Sequence, residues 1–228
     1  MIKHIYLLLF SYCLLNACTA PSNGWQPKAY TPAPALVALN DSAIVQYQQW
    51  QMHSEDSLKQ SYLDAATVLL EKAFQQDKHY NTAAGNLVLM YSERGEKEKM
   101  KSTIQSIVAA SPDFAEWWQI LAICYDLEGD TVQAFQYYNK SNQLFEDRLA
   151  LGTAKEEALM NYYSSNLLQQ ASGYMLVGDS EKALKRWAQF KTLHKDEPAR
   201  WKDIESLFVN TNRANFLKAL KEKNPLFK

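Results

Sequence analysis

Few residues in this chain could do chemistry. Cysteine occurs at 13, 18 and 124, and histidine at 4, 53, 79 and 194. No two cysteines stand in the C-x-x-C spacing of a redox pair or of half a zinc site. His53, His79 and His194 are far apart, in polar, turn-like or helix-surface settings, so each reads as a solvated side chain and not as a metal ligand. The sequence carries no HExxH, no G-x-S-x-G, no P-loop and no G-x-G-x-x-G, so metal-assisted hydrolysis, a serine nucleophile elbow and a phosphate cradle are all unassigned. The expectation is a protein that is not an enzyme and needs neither metal nor cofactor. Cys124 lies among Ile120, Leu121, Ala122, Ile123 and Tyr125, where a free cysteine acts as a small hydrophobe. Glu96-Lys97-Glu98-Lys99 follows Gly95 and reads as an exposed helix face.

Cys18 differs because of what precedes it. Lys3 and His4 give a basic start, and an 11-residue run from Ile5 to Leu15 follows, interrupted only by Tyr6, Ser11 and Tyr12. That is the length of a signal-peptide core and falls short of the ~20 apolar residues a membrane span requires. The run ends in Leu15-Asn16-Ala17-Cys18, which resembles the bacterial lipobox. The resemblance implies that residues 1–17 are removed and that Cys18 is acylated, anchoring the chain to a lipid bilayer of the cell envelope. Thr19 stands where an inner-membrane retention signal usually has Asp, which implies the outer membrane, facing the periplasm or the surface. Losing Cys13 with the signal would leave only Cys18 and Cys124, so no intramolecular disulfide is expected. Residues 18–40 hold Pro21, Pro27, Pro32 and Pro34 and are expected to form an extended, semi-rigid tether.

Composition sets the kind of body this tether would carry. Of 228 residues, 47% are hydrophobic and 21% charged, a balance that can bury a core. Glycine and proline number only seven each, too few for the many turns of a β-sandwich, so an all-α fold is expected. The net charge of −1 supplies no basic surface for a phosphate backbone, so nucleic acid is excluded as a partner.

The elements that position everything else come from a repeat. Leu87, Tyr91 and Gly95 recur 34 residues on as Leu121, Tyr125 and Gly129. Ala84 answers to Trp118, Met100 to Ala134, Ile104 to Tyr138, and Ile107 to Ser141. Trp118, Leu121, Ala122 and Tyr125 share one helical face, and Gly129-Asp130 makes the turn into a second helix carrying Ala134 and Tyr138. Of the adjacent pairs, Trp118 and Tyr138 are assigned to the core with Leu121 and Tyr125, and Trp117 to an exposed or inter-repeat contact. Upstream, Ala66, Leu70 and Ala73 mark an earlier second helix, whose first helix around Trp50 is degenerate and has Ser61 in place of the turn glycine. Downstream, Ala171, Tyr174, Gly178, Ala183, Trp187 and Phe190 repeat the pattern, but Gly178 follows Gly129 by 49 residues. The excess reads as an insertion near 142–163 that lengthens a first helix running from a capping box, Thr153-Ala154-Lys155-Glu156, to Val177. Helices over Ala199–Val209 and Arg213–Lys223, within 199–228, would cap the open end.

This pattern over residues 41–198 resembles the tetratricopeptide repeat. The resemblance implies a right-handed α-solenoid of about four helix pairs plus the C-terminal caps, with first helices lining a concave groove that binds a partner peptide or helix. The first-helix positions turned away from the core are Gln48, Gln51, Glu55, Gly85, Leu89, Glu116, Gln119, Ile123, Asp126, Leu168, Ser172 and Met175. They include no Lys or Arg, so the family's clamp on a C-terminal carboxylate is not expected. Mixed apolar and amide groups suit a helix or an extended segment with apolar anchors, the leading candidates being Leu89, Ile123 and Met175. The chain is therefore expected to be a membrane-anchored adaptor that holds another envelope protein. The alternative is a surface lipoprotein that binds a glycan or small ligand, with Trp117, Tyr162 and Tyr163 stacking on a sugar.

Overall fold

The computed structural model describes residues 30–150 and 157–223. The signal segment, Cys18, most of the tether and the Thr153–Glu156 capping box lie outside the described residues. Among the described residues the protein is all-α, with nine α-helices and no strand, the helices packed chiefly on neighbours in sequence except the last, which packs on the seventh. The helices are α1 (Pro34–Met52), α2 (Asp56–Gln76), α3 (Asn81–Glu93), α4 (Lys97–Ala110), α5 (Ala115–Leu127), α6 (Thr131–Ala150), α7 (Glu157–Val177), α8 (Ser180–Leu193) and α9 (Arg213–Lys223). They fall into two compact units, an N-terminal one within Pro27–Pro112 and a C-terminal one within Asp113–Lys228.

The glycine turns hold both units to one local design. Gly95, Gly129 and Gly178 have φ of 69°, 91° and 82°, and each closes its helix with the same pair of backbone bonds. Gly95 N–H donates to Ser92 O (2.9 Å) and Glu96 N–H to Tyr91 O (2.8 Å); Gly129 and Asp130 do the same to Asp126 O and Tyr125 O, and Gly178 and Asp179 to Met175 O and Tyr174 O. This is the Schellman closure, which satisfies the orphan carbonyls of the helix end and requires a left-handed residue. A Cβ on any of the three would meet nothing within 4 Å, so backbone conformation and not space demands glycine there. Asp130 and Asp179 then cap the following helices, accepting from Gln133 N–H (3.0 Å) and Lys182 N–H (3.1 Å).

In the N-terminal unit, Ala66, Leu70, Ala73, Ala84, Leu87, Tyr91, Met100, Ile104 and Ile107 are buried at the positions the repeat assigns, and Leu63 and Met90 join them in the core. The chain begins its first helix earlier than expected. Pro34 sits near the N-terminus of α1 with Ala33 extended before it, the position where the fixed φ of proline suits a helix, so residues 34–40 are helical and not tether. The turn between α1 and α2 falls at His53–Glu55, and Ser61 lies within α2. Ser61 therefore does not replace a turn glycine.

In the C-terminal unit the excess length is shared by two helices. Against 14 residues in α4 and 13 in α5, α6 has 20 and α7 has 21, so the insertion extends a second helix as well as the first helix that follows. At the far end, Pro198–Arg200 and Lys202–Leu207 form 3-10 turns in place of the expected α-helix over Ala199–Val209. Trp201 interrupts them at φ −130°, its indole N–H donating back to His194 O (3.1 Å). Phe208 stacks on Trp187 of α8 with ring centroids 4.7 Å apart and meets Phe216 of α9 at 5.8 Å, so the 3-10 turn carries an aromatic row from α8 to α9. His194, read as solvated, is buried at the end of α8 against Phe190, 4.8 Å between ring centroids.

Candidate functional site

The first helices of the C-terminal unit, α5 and α7, are held by polar groups. On α5, Glu116 takes an ion pair at 2.6 Å from Arg148 of α6, whose other terminal nitrogen donates to Asp113 O (3.0 Å). Gln119 donates to Gln169 O of α7 (3.0 Å). Asp126 accepts from Tyr138 Oη (3.0 Å) and from Arg213 of α9 (2.5 Å). On α7, Gln170 donates to Asn142 O (3.2 Å). Gly173 lets α7 approach that closely, because a Cβ there would stand 2.2 Å from Asn142 Oδ1 and 3.0 Å from Gln119 Nε2.

These partners decide the fate of the expected groove residues. Ile123 and Met175 are 3% and 0% exposed and belong to the core, contrary to their reading as solvent-facing anchors. Gln119 and Asp126 are buried with the partners just named, and Glu116 is half-buried in its ion pair. Leu168 and Ser172 stay half-buried. The tryptophan assignment reverses: Trp117 is 2% exposed, while Trp118 is half-buried against Tyr137, ring centroids 5.3 Å apart. Tyr138 is fully buried as expected, whereas Tyr125 is half-buried, edge-on to Tyr137 at 5.5 Å. With Trp117 interior, the aromatic trio of the sugar-stacking alternative is reduced to the half-buried Tyr162 and Tyr163.

The N-terminal unit keeps more of its first-helix face open. Gln48 and Gln51 are exposed, Leu89 is half-buried and Gly85 is buried, while Glu55, also exposed, lies in the turn after α1 and not on a first helix. α1 lies against α3 through Asn86 Nδ2 donating to Asn40 Oδ1 (2.8 Å) and Tyr47 Oη to Glu93 (3.3 Å). Tyr47 stacks on Trp50, centroids 5.0 Å apart, with the Lys59 ammonium 5.5 Å from the indole ring. Half-buried aromatic rings and exposed amides thus lie together along the last turns of α1.

The sequence reading missed a tie that both units use. The tyrosine four residues before the turn glycine donates to a carboxylate on the preceding second helix, Tyr91 to Glu71 and Tyr174 to Glu146, each at 2.6 Å. Burial raises both phenols above their ordinary range and the carboxylates add to it. Burial alone would raise Glu146, but the Tyr174 hydroxyl and the Arg186 guanidinium (2.5 Å) hold it below the usual carboxylate range. Arg94 pairs with Asp64 and Glu96 beside the first of these ties. Tyr162, half-buried, is pushed up to about 12 chiefly by burial, with Arg148 opposing and Glu116 adding to the shift.

Among the described residues no group of three or more His, Cys, Asp or Glu side chains could hold a metal ion, and no helix is long and apolar enough to cross a membrane. No protein-family model matches the sequence, and no match was found among curated proteins.

Proposed function

We propose that this protein is a lipid-anchored adaptor of the bacterial cell envelope, built from tetratricopeptide-like helix pairs stacked as a right-handed solenoid. The observation that carries the reading is the recurrence of one closure, a left-handed glycine with the same two backbone bonds, at 95 and 129, one 34-residue period apart, and again at 178, beyond the insertion. The Tyr91–Glu71 and Tyr174–Glu146 ties support it, since each joins a first helix to the second helix before it, as stacked pairs require. In this reading Cys18 carries the acyl chains and the segment before Pro34 holds the helical body off the bilayer.

The working surface on this reading is the open face of α1 and α3, with Gln48, Gln51 and Leu89 beside the Tyr47–Trp50 stack. Leu168 and Ser172 are what the C-terminal unit leaves partly accessible of its expected groove. Amides that bond to a backbone and a few apolar anchors suit an extended segment or a helix of an envelope protein.

Two measurements test this. Cys18→Ala should abolish incorporation of labelled palmitate, and a variant that still takes up the label removes the anchor. Co-purification from detergent-solubilised membranes should yield a stable protein partner whose retention falls for Gln51→Arg and Leu89→Ala. It should not fall for Val132→Asp, a residue 72% exposed on a second helix. Absence of any partner, or loss confined to the Val132 variant, would overturn the adaptor reading.

A further inference from the structure

Arg213, the first residue of α9, is bound by groups from three other helices. Its Nη2 donates to Asp126 of α5 (2.5 Å), its Nε donates to Leu176 O of α7 (2.6 Å), and its guanidinium carbon lies 5.1 Å from the Phe135 ring of α6. The Asp126 side chain is only 2% exposed and is further held by Tyr138 Oη. Asp126 and Leu176 both belong to last turns, so the C-terminal ends of α5 and α7 converge on the cation with their partial negative charge. Two donors spread across a carboxylate and a carbonyl, with an aromatic face alongside, are the demands of a planar guanidinium and not of an ammonium.

The helix that supplies this guanidinium is lightly attached. Of the residues of α9 whose burial is described, only Phe216 is buried; Ala214, Asn215, Lys218, Lys221 and Glu222 are exposed. The link into α9 contains Asn210 at φ 58°, a left-handed non-glycine residue, a conformation such residues adopt singly at turns. Arg213 and Phe216, three apart on one helix face, are therefore two pegs, the first in a seat that α5, α6 and α7 build without α9 and the second against Phe208 of the 3-10 turn before it.

We propose that this seat is a guanidinium-recognition site which α9 occupies in the free protein, and that a partner segment with arginine and an aromatic or aliphatic residue three positions on displaces it. The proposal rests on the adaptor reading for the existence of a partner, and it names the chemistry of that partner. A tethered helix competes at an effective concentration of about millimolar order, so the displacing segment must bring contacts beyond the two pegs. α9 thus sets a threshold on which partners are accepted.

The seat can be tested without any partner. A fluorescein-labelled peptide of residues 211–223 is titrated by anisotropy against the full chain, wild type and Arg213→Ala. The peptide should bind the variant at least about tenfold more tightly than the wild type, and alanine in place of its arginine should cost at least about tenfold, as for a hydrogen bond to a charged group. Asp126→Asn added to Arg213→Ala should remove the preference for the arginine peptide. Phe216→Ala, which loosens α9 at its second peg, is the second releasing variant should Arg213→Ala fail to fold. Equal binding to wild type and variants, indifference to the peptide's arginine, or unfolding of both releasing variants would overturn the proposal, the last by making α9 integral to the fold. Absence of a co-purifying partner would count against the adaptor reading while leaving this result standing.

Discussion

Removing the charge of Glu116 while keeping its shape should destabilise the C-terminal unit strongly. Arg148 is 1% exposed along its side chain and Glu116 11%, with 2.6 Å between charged atoms. Glu116→Gln leaves a neutral acceptor opposite a guanidinium that has almost no water to return to. Breaking a buried pair by removing one partner costs ~3–5 kcal/mol, because the surviving charge is left uncompensated. The residual exposure of Glu116 and the bond from Arg148 to Asp113 O (3.0 Å) put the expectation at the lower end, about 3 kcal/mol. With a urea slope of ~2 kcal/mol/M, the unfolding midpoint should fall by roughly 1.5 M. Tryptophan fluorescence follows this transition well, since Trp117, Trp118, Trp187 and Trp201 all lie in this unit. The double variant Glu116→Met, Arg148→Met should recover most of the loss, because an apolar pair of similar volume commonly matches a buried ion pair. A midpoint within error of wild type for Glu116→Gln would refute the reasoning, and so would a double variant less stable than the single.

Three further outcomes are expected. Gly129→Ala should lose ~1–2 kcal/mol from left-handed backbone strain alone, whereas Gly173→Ala should lose ~1–3 kcal/mol from overpacking against Asn142; thermal melts in which the two cost nothing would contradict both assignments. Ile123→Glu should abolish the cooperative melt and most helical circular dichroism, since it puts an unpaired carboxylate in the core; a folded variant that only loses binding would return Ile123 to the surface. Glu146 is held below the ordinary carboxylate range in the folded state, so its contribution is present above the unfolded value of ~4.3 and lost as pH falls through the lower folded value; Glu146→Gln should therefore flatten the acid limb of a stability profile, and an unchanged limb would show that Tyr174 and Arg186 do not act through it.

How much of this was legible depended on whether local chemistry or packing decided the matter. The glycine turns were readable because a left-handed φ leaves few residue choices and the chain repeats the choice, 34 residues apart at 95 and 129 and once more at 178. The buried ladder of Leu87, Leu121, Ala134 and Tyr138 was readable for the same reason. The start of α1 was not, because prolines at 21, 27, 32 and 34 look alike in composition and nothing there marks Pro34 as the first residue of a helix. Nor was the split of the insertion between α6 and α7, since α6 carries no interior glycine or proline and Gly173, near the end of α7, does not mark where the added residues go.

The groove residues of the C-terminal unit were misplaced for a more instructive reason. Periodicity assigns a residue to the face opposite the core only if the helix has a single buried face. α5 reads Ala115-Glu116-Trp117-Trp118-Gln119-Ile120-Leu121-Ala122-Ile123-Cys124-Tyr125-Asp126-Leu127, apolar on nearly every side, and a helix of that kind is enclosed by its neighbours. Its three polar residues, Glu116, Gln119 and Asp126, then have to find partners inside, and each finds one on a different helix, Arg148 on α6, Gln169 on α7 and Arg213 on α9. α1 differs in kind, carrying Gln46, Gln48, Gln49 and Gln51 in its last two turns, and it is there that first-helix side chains stay accessible. The contrast between an enclosed α5 and an open α1 is visible in the two sequences once burial on all sides is considered, and it moves the expected contact surface from the C-terminal unit to the N-terminal one.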